Sequence, residues 1–180
     1  MPRVACGVCR SKEIRVLENT DFFSGEVFEV AWCSRCELGR TDISRLPSLE
    51  AYYPSTYYGE GDRRFVGFVE AMIRLSRHMR ARYVIRSKAR QTECILDHGC
   101  GRGIMLAYLR DHGWTCVGTE FSAESSEYAR QMDLSVVIPS DGRDPLELVK
   151  GPFGVITAWH VLEHLHDPGE VLRRFHHLLE

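Results

Sequence analysis

A short apolar segment that runs directly into alternating glycines constrains this sequence more than any other feature. Residues Cys94–His98 are typical of a strand, and glycine then takes every second position, at Gly99, Gly101 and Gly103. Helix-forming residues follow over 104–109. Glycine lets a backbone approach a ligand closely, and a helix N-terminus presents free amides. The pattern therefore predicts a strand, a turn and a helix that form a nucleotide-type binding site.

The spacing of these glycines differs from the dinucleotide-binding fingerprint. That fingerprint reads G-x-G-x-x-G, and Ile104 stands where its third glycine would be. Here the pattern is D-x-G-x-G-x-G, with Asp97 at the end of the strand. A second predicted strand, over 114–119, also ends at an acidic residue, Glu120. The alternative interpretation is a tight strand-to-helix turn that binds no ligand.

These residues resemble motif I of the Rossmann-like methyltransferases that use S-adenosylmethionine. The resemblance implies that Glu120 binds both ribose hydroxyls of the cofactor, because a carboxylate can accept two hydrogen bonds at once. It also implies an acid near the adenine, where this chain has Asp141, although the neighbours of Asp141 are equally typical of a plain turn. The cofactor-binding residues predicted in this way are Asp97, Gly99, Cys100, Gly101, Gly103, Glu120, Phe121, Ser122, Asp141, His160 and Tyr58.

Two C-x-x-C pairs near the start of the chain predict a metal site. Cys6 and Cys9 form the first pair, and Cys33 and Cys36 form the second. Four thiolates suit a tetrahedral zinc ion, and such a closed site stabilises a fold without catalysing a reaction. A redox pair and a metal-free unit are the alternatives. The other three cysteines lie in or beside predicted strands, where a free cysteine usually behaves as a small buried apolar residue.

A tyrosine-rich segment follows the second cysteine pair. Tyr57 and Tyr58 lie after Pro54 in a stretch that predicts a short helix and then a loop. Zinc-knuckle methyltransferases of sugar and secondary metabolism carry a similar segment, which implies that Tyr57 or Tyr58 covers the cofactor. Packing between two units of the chain is the alternative role for these tyrosines.

We expect three parts along the chain. Residues 1–60 form a zinc-ribbon unit with its tyrosine-rich connector, 61–92 an amphipathic helical linker, and 93–180 the N-terminal half of a Rossmann-like domain. A long helix is predicted over 65–89, and its apolar side should cover part of the sheet. Arginines on its other side are most simply a solvated face, since the sequence interleaves no aromatic residues for base stacking.

From residue 93 onward, strands and helices alternate, which predicts an α/β fold with a doubly wound parallel sheet. The four predicted strands cover 93–97, 114–119, 134–138 and 153–159. The resemblance implies the strand order 3-2-1-4, which is part of a seven-stranded sheet. Since the sequence ends at Glu180, we expect partial cofactor recognition, little turnover and self-association through the fourth strand, which would be an exposed edge.

The segment 160–168 after the fourth strand resembles a motif of ubiquinone-pathway O-methyltransferases and deoxysugar C-methyltransferases. Ligands of open parallel sheets bind at the carboxyl ends of the strands, and His160 lies at such an end. His160, Glu163 and His164 are the candidate catalytic residues. Three roles are open: hydrogen bonding within the loop, proton removal by His160, and binding of a divalent metal by all three.

Composition narrows the choice of partner. The net charge of −2 gives no general attraction to nucleic acid or to an anionic membrane. No apolar run approaches the length of a membrane span and no signal peptide is evident, so we expect a cytoplasmic enzyme with a small-molecule acceptor. The alternatives are a zinc-ribbon interaction module with an inactive cofactor-binding half and, less favoured by the glycine spacing, a NAD-dependent oxidoreductase.

Overall fold

The structure is a computed structural model that describes residues 5–21, 25–41, 67–87, 94–139, 144–165 and 167–179. It contains two compact units, Met1–Pro54 and Ser55–Glu180.

The first unit contains a small antiparallel sheet. Its strands are β1 (Ile14–Thr20), β2 (Val27–Cys33) and β3 (Gly39–Thr41), with β2 in the centre. The register between β1 and β2 runs from Ile14 opposite Cys33 to Thr20 opposite Val27. Six of the seven residues of β1 are exposed, so this sheet gains little from apolar burial.

The second unit alternates helices and strands as the sequence predicts. Its elements in chain order are α1 (Gly67–Arg86), β4 (Cys94–His98), α2 (Ile104–Arg110), β5 (Thr115–Thr119), α3 (Ala123–Gln131), β6 (Ser135–Val137), a 3₁₀ turn (Pro145–Leu148), β7 (Val155–Thr157), a second 3₁₀ turn (Leu162–His164) and α4 (Pro168–Leu178). The strands lie in the order β6-β5-β4-β7, and every pair is parallel. This is the predicted order 3-2-1-4, so the α/β fold class is confirmed.

Apolar side chains cover both faces of the parallel sheet because alternate residues of a strand point to opposite sides. On one face, Ile95 packs with residues of α1, α2 and α3. On the other, Leu96 packs with Val171 and Phe175 of α4 and with residues around the first 3₁₀ turn. Ile95 and Leu96 are both fully buried, so β4 is the centre of the unit, and the glycine turn that follows it has a rigid base.

The long helix α1 does not place its apolar residues as predicted. Ala81 and Val84 are buried and pack in the core beside α2. Of the apolar residues that helical spacing assigns to one side of α1, Val84 is buried, whereas Met72, Leu75, Met79 and Tyr83 are exposed. The helix therefore covers part of the sheet as predicted, but with only some of the expected residues, because α1 carries apolar residues on two faces and helical spacing alone does not say which face is buried. Within the described residues, none of the helices is long and apolar enough to cross a membrane.

The fourth strand is shorter than predicted and pairs with β4 along one side. Phe153, two residues before β7, forms an isolated parallel bridge with Leu179. The Phe153 N–H donates to the carbonyl of Leu178, whereas the Gly154 N–H donates to the carbonyl of Cys94 in β4. Residues 178–179 therefore lie at the start of the β7 edge that faces away from β4.

Candidate functional site

The glycine turn lies at the carboxyl ends of β4 and β5. Gly99, Gly101 and Gly103 all have a positive φ, of 72°, 55° and 71°, which is a left-handed conformation that other residues rarely adopt. The amides of Gly99 and Cys100 both donate to the carbonyl of Thr119, at 2.8 and 3.0 Å. These bonds attach the turn to the neighbouring strand.

The three glycines are required for different reasons. A side chain at Gly99 would clash with Val161, and a Cβ at Gly103 would lie 2.6 Å from Cδ1 of Leu134. Both positions are therefore closed by the protein itself. A Cβ at Gly101 would meet no atom within 4 Å. Gly101 is thus the position where the turn leaves room for a ligand to approach the backbone.

Glu120 lies beside this open position. Its Oε2 accepts a hydrogen bond from the Gly101 amide at 2.8 Å. Its Oε1 accepts bonds from the amides of Phe121 and Ser122, at 2.8 and 2.9 Å. The carboxylate therefore joins the glycine turn to the start of α3. A carboxylate offers about four acceptor positions, so the three amides leave little capacity for the two ribose hydroxyls that the sequence assigned to it.

The residues after Glu120 begin α3. The Ser122 hydroxyl accepts a hydrogen bond from the Ser125 amide at 3.1 Å, so Ser122 is the N-cap of α3. Phe121 is 56% exposed, and its ring is available to contact a ligand.

Cys100 belongs to the predicted site through its backbone. A Cβ at Gly118 would lie 2.6 Å from the Cys100 sulfur, so the thiol packs over the glycine of β5. Burial raises the pKa of this thiol, which keeps it protonated and unreactive.

Asp97 lies at the end of β4 and is buried, with 4% of its surface exposed. Its Oδ1 accepts a hydrogen bond from the Thr157 hydroxyl of β7 at 2.8 Å. Loss of solvation raises the pKa of Asp97 to about 7, against the opposing effects of Thr157 and of the positive charge on Arg80. A carboxyl group with such a pKa can change its charge when a cationic ligand binds beside it.

The second predicted stretch forms a turn after β7. His160 has a positive φ of 57°, and its ring is 75% exposed with Nδ1 3.4 Å from Oε1 of Glu163. Among the described residues, the groups of three or more potential metal ligands do not include His160, Glu163 and His164. The structure thus brings His160 and Glu163 together but does not assemble the trio as a metal site.

Two predicted site residues, Tyr58 and Asp141, lie outside the described residues.

The sequence interpretation missed Arg80 and Trp159. The guanidinium of Arg80 lies 4.8 Å from the centre of the Trp159 ring, and its charge acts on Asp97. The sequence signal for this contact was the arginine-rich side of α1, but we expected that side to be solvated. Arg80 lies instead on the partly buried side of the helix.

His98 was also missed. It is 1% exposed, and its Nδ1 lies 2.7 Å from the Thr119 hydroxyl. Among the described residues its Nε2 has no hydrogen-bond partner, and the rings of Phe121 and Phe175 lie edge-on to it. Burial lowers the pKa of His98 although the charge of Asp144 opposes this. His98 therefore acts as a neutral packing residue beneath the site.

The cysteines of the first unit converge in two matching turns. After each pair the chain takes a left-handed residue, Arg10 with φ 61° and Glu37 with φ 60°. In each turn this residue's amide donates to the carbonyl of the first cysteine, at 3.0 and 2.9 Å. The ligand atoms of Cys6, Cys9, Cys33 and Cys36 all lie within 4.8 Å of one another.

The chemistry of the four thiols suits a divalent cation. The Cys9 backbone N–H lowers the pKa of Cys6 to about 6, although burial opposes this. The pKa of Cys36 is raised to about 12, against the effect of the Leu38 N–H, by burial and by the neighbouring thiols. One thiolate forms readily and a fourth does not, because each added negative charge opposes the next. A dication supplies the charge that allows all four to ionise.

The second unit is similar in sequence to a known protein family. A family model described as a methyltransferase domain matches residues 68–180, which is more than half of the chain. The chain belongs to this methyltransferase-domain family. Its match ends at the same residue as the chain and begins inside α1, so it contains the glycine turn, Glu120 and the turn at His160.

The chain is also similar to curated proteins. The ubiquinone biosynthesis O-methyltransferase of Pseudomonas paraeruginosa is 31% identical over 91 residues, which cover 48% of this chain and 39% of that protein. The corresponding protein of Vibrio parahaemolyticus is 33% identical over 84 residues, 44% of this chain and 36% of that protein. The matched part is thus about two-fifths of the length of these relatives.

Solved structures support the fold. The magnesium protoporphyrin IX methyltransferase of Synechocystis PCC 6803, with bound S-adenosylmethionine, superposes with a TM-score of 0.51 and 18% identity. The superposition covers 73% of this chain and 66% of that chain. At this identity the likeness shows a common fold and does not transfer an activity.

Proposed function

We propose that this chain is the cofactor-binding part of an S-adenosylmethionine-dependent methyltransferase that methylates carbon or oxygen of a small-molecule acceptor. The observation that carries the proposal is the open space at Gly101, directly beside the Glu120 carboxylate. Of the three glycines of the turn, Gly101 is the one at which an added Cβ would meet no protein atom within 4 Å, and this leaves space for a ligand. Family membership supports a methyltransferase over a NAD-dependent oxidoreductase.

The residues present fit such a cofactor. The amides of Gly101 and Phe121 bind different oxygens of Glu120, and Phe121 is 56% exposed. A nucleoside beside Glu120 would therefore have carboxylate and aromatic groups within reach. The bound cofactor would supply a methyl group activated by a positively charged sulfur. The residues of the chain would orient that methyl group and keep water away from it, which is most of what a displacement of this kind requires.

The proposed contact between Glu120 and the ribose differs in one respect from the expectation based on sequence. Three amides already bind its two oxygens, so a ribose diol would share the carboxylate with them or replace the bond from Gly101. We infer that cofactor binding and the shape of the glycine turn depend on each other through this carboxylate.

His160 is the residue we propose for proton removal when the acceptor carries a hydroxyl. Its exposed imidazole lies at the carboxyl end of β7, and Glu163 is close enough to orient it. Imidazole suits proton transfer near neutral pH. A carbon acceptor that has already lost its proton would not need this step, so His160→Ala should affect oxygen acceptors most.

We also propose that Cys6, Cys9, Cys33 and Cys36 hold a structural zinc ion. Four converging thiols in two matching turns support this, and a closed four-thiolate site leaves no position for substrate. The ion would therefore stabilise the first unit and take no part in methyl transfer. Elemental analysis of the purified protein should find one zinc per chain.

Thermal unfolding with added ligands separates the candidate functions. S-adenosylhomocysteine should raise the midpoint of the second unit's unfolding, since a ligand that binds only the folded state stabilises it. NAD should leave the midpoint unchanged. A shift with NAD alone would favour an oxidoreductase, and no shift with either ligand would favour an interaction module without cofactor binding.

A further inference from the structure

The chain passes from one face of the parallel sheet to the other just after β7. Trp159 packs in the core on the side of α1, whereas Leu162 packs in the core on the side of α4. The two residues between them, His160 and Val161, therefore cross the carboxyl end of the sheet. We call residues 159–162 the crossing.

His160 makes this crossing with a left-handed backbone, at a φ of 57°. Such a conformation costs free energy in a residue other than glycine, and it persists where surrounding contacts enforce it. The imidazole supplies little of that constraint, because it is 75% exposed and pairs with Glu163, which is exposed as well. Exposed pairs of this kind add little stability. The constraint on His160 therefore comes from residues packed around the crossing.

Val161 packs against the glycine turn. A Cβ at Gly99 would overlap with Cγ2 of Val161, so the branched side chain occupies the space that the glycine leaves open. The Gly99 amide donates to the carbonyl of Thr119 at 2.8 Å, which attaches this surface to β5. The Val161 carbonyl accepts from the His164 amide at 2.9 Å and closes the second 3₁₀ turn. Val161 is thus fixed through its side chain by the glycine turn and through its carbonyl by the turn that follows.

We propose that Val161 is a positioning residue, whose contact with Gly99 holds the His160 backbone left-handed and fixes the imidazole relative to the glycine turn. A β-branched side chain suits this task because its χ1 angle has few alternatives. The consequence for methyl transfer rests on the proposed function, in which the glycine turn binds the cofactor and His160 removes a proton from the acceptor. A base has to lie within hydrogen-bond reach of that proton, so the contact between Val161 and Gly99 would set the position of the base relative to the methyl donor.

NMR of the full chain without ligand tests the contact. The His160 amide of the wild-type protein should be rigid, with an order parameter of about 0.85, and its carbon chemical shifts should be those of a left-handed residue. Val161→Ala removes both methyl groups that reach Gly99, so the His160 shifts should move towards those of an unstructured histidine. Val161→Leu keeps a large apolar side chain but moves its branch away from Cβ, and should move the His160 shifts in the same direction.

Two controls separate this contact from a general loss of packing. Val161→Thr keeps the branched shape and should retain the wild-type shifts of His160. Leu165→Ala removes a side chain that packs in the core on the side of α4, and should also leave the His160 shifts unchanged. Circular dichroism and the amide peaks of β4 check that each variant is folded.

Titration with S-adenosylhomocysteine tests the consequence for the cofactor site. In the wild-type protein, the amide peaks of Gly101 and His160 should shift with the same dissociation constant. In Val161→Leu, the Gly101 peak should still shift, with a dissociation constant within about threefold of the wild-type value. The ligand-induced shift at His160 should fall to less than half, because the contact that carries it is lost.

The outcomes separate this inference from the proposed function. A mobile His160 in the wild-type protein, wild-type His160 shifts in the folded Val161 variants, or equal changes in Leu165→Ala would overturn the positioning role. An undiminished ligand-induced shift at His160 in Val161→Leu would overturn its link to the cofactor. Absence of any ligand-induced shift in the wild-type protein contradicts the proposed function instead, and the spectra without ligand still decide whether Val161 holds His160.

Discussion

The two units of this chain are stabilised in opposite ways. In the described part of the first unit, the buried residues are Cys6 and Cys33. In the second unit, a four-stranded sheet has an apolar core on each face, with Ile95, Leu96 and Leu106 completely buried. The described part of one unit is organised around a cluster of thiols, and the other is organised around apolar packing.

The two units differ in how much apolar surface they can bury. A unit of this size buries too little apolar surface to fold well, and the proposed metal cross-link would replace the missing core. In the larger unit, glycines adopt the left-handed backbone of the turn without strain, and the packed fold holds His160 in the same unfavourable region. The binding chemistry is therefore expected in the second unit.

The largest effect is expected from loss of a thiol. Cys9→Ser should abolish zinc binding and unfold the first unit, because binding of a structural zinc ion contributes about 10–16 kcal/mol in small zinc-binding peptides. Amide exchange in β1 and β2 should become fast while the amides of β4 stay protected. Cys94→Ala, outside the cluster, is the control and should keep one zinc per chain. Protection of β1 in a zinc-free protein would refute the dependence on metal.

Leu96→Ala should destabilise the second unit and leave the first unit intact. It removes a fully buried side chain from the core against α4 and should cost the second unit about 2–5 kcal/mol. The zinc content and the amide protection of the first unit should not change. Urea unfolding followed by two-dimensional NMR reports both units separately. Equal loss in both units would mean that they do not fold independently.

Two glycine substitutions separate packing from ligand binding. Gly103→Ala should cost roughly 2–4 kcal/mol, because its Cβ would crowd Leu134 and the left-handed backbone is unfavourable for alanine. Gly101→Ala has only the backbone penalty, about 1–2 kcal/mol, but its methyl group enters the open space. Gly101→Ala should therefore lose more affinity for S-adenosylhomocysteine than stability. The reverse order of effects would place the ligand elsewhere.

Removal of the Glu120 carboxylate should weaken binding of S-adenosylhomocysteine by about 1.5–3 kcal/mol. It should also speed hydrogen exchange at the Gly101 amide before any ligand is added, since that amide loses its acceptor. Glu120→Gln is the matched control, since it keeps one carbonyl oxygen for Phe121 and Ser122. Unchanged affinity in a folded Glu120→Ala protein would contradict the proposed ribose contact.

A further prediction concerns pH. The pKa of Asp97 is raised to about 7 in the folded unit, against about 3.9 in an unfolded chain. The folded state thus favours the protonated acid, and this contribution is complete below pH 3.9 and is lost as the pH rises through 7. Asp97→Asn, which still accepts from Thr157, should lack this loss. The difference between the two stability curves isolates the effect, and parallel curves would disprove it.

Sequence alone predicted the elements whose signals are local. The glycine spacing predicted the turn after β4, and strand and helix alternation predicted the parallel sheet. Each of these signals lies in residues that are close together in the sequence, where backbone preferences decide the local structure.

The rest depends on contacts between distant residues. The bond between Thr157 and Asp97 joins positions sixty residues apart, and the amide that binds Oε2 of Glu120 comes from another loop. The buried face of α1 is decided by the fit of Ala81 and Val84 in the core beside α2, and periodicity gave no way to choose it. The stacking of Arg80 on Trp159 follows from that choice, so it was missed as well.

Isothermal titration of the full chain with S-adenosylmethionine tests the central claim, that the glycine turn of the second unit binds this cofactor. The account predicts saturable binding of one ligand per chain, and loss of that binding in Gly101→Val while zinc content and the circular dichroism spectrum stay the same. Absence of binding to the wild-type chain, or equal binding to Gly101→Val, would contradict it.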